Sequence, residues 1–327
     1  FVIFVHYFFA ELALKTPDFK RLPGFAEIYL GKWGKNVAYL STILGIFGAL
    51  LAYLIVGGEF FTELLYPYFG GNNLLYTLLY FVIGAGLIFY GIKVIAKVEF
   101  WGLILFFLIL IIIFFRGQSF IDIQNLFIGV SNFKFQISNF FLPYGVILFS
   151  LWGAALIPEV EEILGEKKNL ILKIVPIAIL IPALVYIFFI YLVLGISGSQ
   201  TTESALGGLK VVLGDGIVVL ALFFGLLTTF TSFIALGLTL KKVFWYDLRM
   251  NKNFAWLLTC FIPIFLYLAG LKSFISVIGA VGGIMLAVDG ILILLMYNRI
   301  RPERKIITYP LILLFLIGIV YSIVYFS

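Results

Sequence analysis

Residues 139–164 read NFFLPYGVILFSLWGAALIPEVEEIL, an apolar run long enough to cross a bilayer but interrupted by Gly153, Ala154 and Ala155 and then by Pro158. A hydrocarbon core about 30 Å thick takes roughly 20 apolar residues as helix. The interruption therefore falls near the expected membrane midplane. Pro158 has no amide hydrogen, which releases a carbonyl about one turn upstream, around Ala154. Bare backbone at that depth is tolerated only where it is buried in protein or lines a cavity. Two readings stand. One is a proline kink packed against neighbouring helices. The other is a discontinuous helix, which offers carbonyls to a cation and half-helix ends to an anion, a combination that suits a zwitterion such as an amino acid.

Working outward, the rest of the chain is as apolar as this stretch. Of 327 residues, 63% are hydrophobic and 12% charged, and mean hydropathy is +1.18. Soluble domains run about 45–50% apolar and about 25% charged, so a soluble enzyme, a nucleic-acid binder and a disordered scaffold are excluded. One cysteine, Cys260, rules out an internal disulfide or a thiolate metal cluster. One histidine, His6, rules out a multi-histidine metal or haem site and has no partner visible in the sequence. The expectation is an all-α polytopic membrane protein with no metal and no cofactor.

Apolar runs between charged or Gly/Pro/Asn-rich breaks predict ten segments, at 1–14, 36–66, 74–92, 99–115, 139–164, 171–197, 215–240, 254–270, 273–298 and 306–326. The first is too short to span and opens within a hydrophobic run, which reads as a chain beginning inside a helix. Alternating the connections puts eighteen of the 22 lysines and arginines on one side, leaving Arg116, Lys134, Lys210 and Lys272 on the other. Basic loops stay cytoplasmic, so segment 1–14 runs outside to inside and Ser327 ends outside. The net charge of +6 is thus a topogenic signal and implies no nucleic-acid partner. The outer connection 197–212 has room for a short surface helix.

Other polar groups fall inside the spans. Thr228, Thr231 and Ser232 lie at i, i+3 and i+4 and share a helix face. Their oxygens suit a small cation, or each hydroxyl bonds its own i−4 carbonyl or a neighbouring helix. Asp289 lies roughly ten residues, or about 15 Å, from the inner arginine. A carboxyl at that depth faces protein or water, as a proton carrier, a gate partner or a group held by neighbouring hydrogen bonds. Glu11 and Lys15 form an i,i+4 interfacial pair, and Glu159, Glu161, Glu162 and Glu166 read as a solvated helix end. Tyr53 and Trp152 are the aromatics placed near a ligand.

Read in order, HYFFAELALKTPDFKRLPGFAEIYLGKWGK, GALLAYLIVGGEFF, LPYGVILFSLWGAALIPEVEEIL and FISVIGAVGGIMLAVDGILILLMYNR resemble the amino acid/auxin permease group. Within it the chain is most similar to bacterial tyrosine and tryptophan permeases of the amino acid–polyamine–organocation superfamily. The resemblance covers nearly the whole chain, and LPYG…IPEVEE is its most specific part. It implies a leucine-transporter-like inverted repeat, amino-terminally truncated. Residues 1–115 would be the remainder of the first repeat, 139–298 the second and 306–326 a final extra helix, in one transporter domain. The family's first helix, which supplies half of both its sites, would precede Phe1. Carried over residue by residue, the resemblance implies substrate recognition at Ser150, Leu151, Trp152, Gly153, Ala154 and Ala155. It implies a cation site at the Thr228 carbonyl and the Thr231 and Ser232 hydroxyls.

The expected function is a secondary active amino acid transporter of the bacterial or archaeal cytoplasmic membrane, working by alternating access at the midplane between the repeats. Its partners would be a small-molecule amino acid, aromatic or otherwise neutral, and the lipid bilayer. The coupling ion is H⁺ or Na⁺. No lysine occurs in 99–115 to replace a mobile cation with a fixed amine. An integral membrane enzyme acting on a lipid-linked substrate would need acids or histidines clustered at one interface, and only Glu159–Glu166 resembles that. A channel would show rings of repeated pore residues, which the sequence lacks. Oligomeric state leaves no mark on the sequence.

Overall fold

The computed structural model describes residues 1–16, 20–91, 95–127, 141–202 and 205–326. Lys93 and Lys134, two of the sorted cations, and the first two residues of segment 139–164 lie outside the described residues. The described chain is helical almost throughout, and no strand occurs among the described residues. The order is α1 (Val2–Lys15), α2 (Leu22–Leu30), α3 (Lys32–Phe69), α4 (Asn73–Tyr90), α5 (Ile95–Gly117), α6 (Tyr144–Leu151) and α7 (Ile157–Leu164). It continues with α8 (Ile171–Ser197), α9 (Leu206–Leu213), α10 (Asp215–Lys242), α11 (Lys252–Leu268), α12 (Phe274–Ala280), α13 (Ala287–Ile300) and α14 (Lys305–Phe326).

Seven helical stretches among the described residues are long and apolar enough to cross a membrane. One of them, Tyr144–Gln200, runs through the interrupted α6–α7 into α8, and the apolar Lys252–Leu268 falls just short of the length. Lipid offers backbone no hydrogen-bond partners, which is why such a composition folds as helix alone. The chain is an all-α polytopic membrane protein.

Helix ends match the sequence closely. Segment 171–197 and α8 coincide, and 306–326 and α14 differ by one residue. The short surface helix in the outer connection is α9. Two features were not visible in the sequence. The nine-residue α2, LPGFAEIYL, is too short for a periodicity argument. The chain also widens to a π-helix at Val281–Leu286, ahead of α13.

The described chain divides into two compact units. The first comprises Phe1–Gly45, Phe135–Tyr186 and Ile278–Ser327. Its core is built on Phe8, Phe9, Leu12, Phe25, Leu148, Ile293, Met296, Tyr297 and Phe315. Phe8 stacks on Tyr297 at 4.3 Å between centroids. Here α6 lies directly on the π-helix, backbone against backbone. A Cβ on Gly145 would sit 2.1 Å from the Gly279 carbonyl oxygen, and one on Gly282 would sit 1.8 Å from that of Gly145. Only glycine permits that approach.

The second unit comprises Ile46–Lys134 and Ile187–Val277, with α10 packed on α4, α5 and α11. Its α4 ends at Gly91, whose φ of +75° favours glycine. The Gly91 amide bonds the Leu87 carbonyl, while the buried Lys241 ammonium donates to those of Ile88 and Phe89 at 2.9 and 3.0 Å. One side chain from α10 thus pairs last-turn carbonyls of α4 that have no partner within their own helix.

Candidate functional site

In the first unit the chain leaves the helix where residues 139–164 lose their apolar run. Helix α6 ends at Leu151, Trp152 is extended (φ −86°, ψ 111°), Gly153 takes φ −124°, ψ 13°, and a 3₁₀ turn at Ala154–Leu156 leads into α7. Of the two readings, the structure has the discontinuous helix. Pro158 acts differently from the expectation. It sits in the first turn of α7, where its missing amide costs no hydrogen bond, and the Ala154 carbonyl is taken by the Ile157 amide. What opens the helix is Trp152–Gly153, and Pro158 starts the next one.

The last carbonyls of α6 and the first amides of α7 have no partner within their own helices. Tyr186 donates its hydroxyl to the Ser150 carbonyl at 3.2 Å, and the Leu156 amide donates to the Gly153 carbonyl at 3.1 Å. The Gly153 amide donates to Nε2 of His6 at 2.9 Å. His6 is 1% exposed, and its Nδ1 lies 2.8 Å from the Val2 carbonyl oxygen. The Trp152 ring meets its imidazole edge to face at 4.9 Å. His6, which the sequence left without a partner, is therefore the side chain that holds the unwound segment. The only sequence signal for it is that a lone histidine sits in an apolar helix, where a polar ring needs a bond. A Cβ on Gly153 would meet nothing within 4 Å, so open space adjoins the unwound glycine.

Asp289, the other candidate in this unit, is buried one turn past the π-helix and accepts a hydrogen bond from Ser41 of α3 at 2.5 Å. Ser41 also lies 3.2 Å from the Ala38 carbonyl. The hydroxyl can thus donate to a carboxylate, or accept from a carboxylic acid while donating to Ala38. Glu11 is more than the partner of Lys15. It accepts from Tyr297 at 2.6 Å and from Arg301 at 2.9 Å, and that bond holds the Arg301 guanidinium above its ordinary pKa. Glu161 is buried, 3.7 Å from Lys168, and Glu159 lies 3.7 Å from Arg21, so this end of α7 is less solvated than the sequence suggests.

Thr228, Thr231, Ser232 and Tyr53 belong to the second unit. The Thr228 hydroxyl donates to the Phe224 and Gly225 carbonyls, both at 3.1 Å, and the Thr231 hydroxyl to the Thr228 carbonyl at 3.1 Å. The structure therefore brings together the Thr228 carbonyl and Thr231 hydroxyl, bonded to each other. Ser232 and Tyr53 are half-buried. An apolar recess in this unit, lined by Phe61, Tyr80, Ile83, Phe223, Leu226, Leu227 and Phe230, includes none of the candidate residues. Among the described residues no group of three or more His, Cys, Asp or Glu is placed to hold a metal ion.

The sequence model of the tryptophan/tyrosine permease family matches residues 1–324. The chain belongs to that family. Membership supports amino acid transport across a membrane and implies a transporter rather than an enzyme, with a small-molecule substrate and the bilayer as partners. A search of curated proteins gave no match to the permease.

Proposed function

We propose that this permease is a secondary active transporter that takes up tryptophan, tyrosine or related neutral amino acids across the cytoplasmic membrane of a bacterium or archaeon. Transport proceeds by alternating access in a leucine-transporter-like fold and is coupled to H⁺ or Na⁺. Substrate backbone is recognised at Ser150, Leu151, Trp152, Gly153, Ala154 and Ala155. Thr228, Thr231 and Ser232 are the candidate ligands for sodium, and Asp289 is a candidate proton or gate residue.

The observation that carries this reading is the unwound Trp152–Gly153 pair inside an apolar span, with open space at the glycine. Discontinuous helices in transporters present main-chain dipoles to both charges of a zwitterion. An enzyme acting on lipid-linked substrate has less support, since Glu159 and Glu161 each lie against a basic side chain.

The test is uptake of labelled amino acids by vesicles holding the full-length protein, under an imposed proton or sodium gradient. Gradient-dependent accumulation of tryptophan or tyrosine, competed by other neutral amino acids, is expected. No gradient-dependent uptake of any amino acid overturns the proposal.

A further inference from the structure

We propose that His6 is the proton-accepting residue of this permease, and that a proton arriving on its Nε2 frees the Gly153 amide for the carboxylate of the amino acid substrate. This deepens the transporter reading and rests on it.

The two ring contacts fix the protonation state. Nδ1 faces the Val2 carbonyl oxygen, which can only accept, so Nδ1 carries a hydrogen. Nε2 faces the Gly153 amide, which can only donate, so Nε2 supplies a lone pair. Both bonds hold only for the neutral ring with its proton on Nδ1. A second proton on Nε2 would point one N–H at another, and the Gly153 bond would break. Two donors, one carrying positive charge, would then converge beside the open space at Gly153, which is the pattern that binds a carboxylate.

The neighbouring charges are already engaged. On α1, Glu11 is held by Tyr297, Arg301 and Lys15. On α13, which packs on α1, Asp289 is held by Ser41. On α7, which also packs on α1, Glu159 lies with Arg21, Glu161 with Lys168, and Glu162 is exposed. Among the described residues no ion pair reaches His6, so a charged ring 1% exposed has no counter-charge in the protein. The substrate carboxylate would supply one. Neither binds well alone: the proton lacks a counter-charge without substrate, and the substrate lacks the Gly153 donor without the proton. The balance is one proton per amino acid. A proton from the medium joins the Nε2 lone pair, the Gly153 N–H exchanges a nitrogen acceptor for a carboxylate oxygen, and no covalent bond of the substrate changes. Release on the alkaline side reverses each step.

The sequence holds a single histidine, which makes a direct measurement possible. The full-length permease, tag removed and labelled with ¹⁵N-histidine, is examined in lipid at neutral pH with and without saturating L-tryptophan or L-tyrosine. Subtraction of the His6→Gln spectrum assigns the His6 signals. The expected result is one protonated and one unprotonated ring nitrogen without substrate and two protonated nitrogens with it. An unbuffered suspension should take up one proton per amino acid bound. His6→Gln, whose amide oxygen can still accept from Gly153 but cannot titrate, should lose the response of uptake to a pH gradient by about tenfold or more. A ring that stays neutral while substrate is bound overturns the proposal and leaves the transporter reading intact, as does a His6→Gln permease that follows the pH gradient as before. Loss of that response in Asp289→Asn alone moves the proton to Asp289 and has the same consequence. Absence of amino acid binding and uptake under every gradient overturns the transporter reading itself.

Discussion

Replacing Gly282 with alanine adds one methyl group where the structure has none to spare. The new Cβ would lie 1.8 Å from the Gly145 carbonyl oxygen, 2.7 Å from its carbon and 2.9 Å from the Phe149 amide nitrogen. All three are backbone atoms, so no rotamer change relieves the clash and α6 must move away from the π-helix. Overpacking a tight interior costs about 1–3 kcal/mol, and contact with main chain places this case at the upper end. At roughly 2–4 °C per kcal/mol for larger domains, the thermal midpoint should fall by about 6–12 °C. The assay is thermal unfolding of the purified protein in one detergent, followed by tryptophan fluorescence, with Gly86→Ala alongside. Gly86 is a helical glycine of α4 whose added Cβ meets nothing within 4 Å. Alanine there gains helix propensity of up to about 1 kcal/mol, so that midpoint should hold or rise. Equal midpoints for the two variants would refute the backbone contact between α6 and the π-helix.

Gly153→Ala should fold with an unchanged midpoint, because its Cβ is uncrowded, and Gly153→Leu should fill the space beside the unwound backbone and cut labelled amino acid uptake about tenfold or more. Full uptake by the leucine variant would remove that space from the substrate path. Lys241→Met leaves the Ile88 and Phe89 carbonyls without their donor and should cost about 1–3 kcal/mol, read as a lower thermal midpoint. Tyr297→Phe deletes the hydroxyl that donates to Glu11 and should cost about 0.5–1.5 kcal/mol, while Arg301 retains the carboxylate. A midpoint equal to that of the parent protein in either variant would show that the bond contributes nothing.

The legible part of this protein is the part written in runs of adjacent residues. Spans appear as apolar stretches, and α8 coincides with its segment because Asn169 before it and Gly198 after it break the run on both sides. The break at Gly153 is legible because small residues and a proline interrupt a span. What Pro158 does was misread, since a proline inside a helix and one at the start of a helix look alike in sequence, and only the dihedrals of Trp152 tell them apart. Contacts between distant residues were hidden. His6 reaches Gly153 across 147 positions, and Ser41 reaches Asp289 across 248. Lys241 looked like one more cytoplasmic cation, yet it is buried and caps α4. The π-helix has no sequence signature that its glycines would not also give an ordinary helix.

The contact of Gly145 with Gly279 and Gly282 bears on how α6 can travel. Helices that mesh through side chains shift by about 1–2 Å, and a longer slide can proceed as a ratchet of one turn, about 5.4 Å. A surface stripped to its main chain has no teeth. At the Gly145 contact main chain meets main chain, so a small displacement there needs no side chain to jump from one notch to the next.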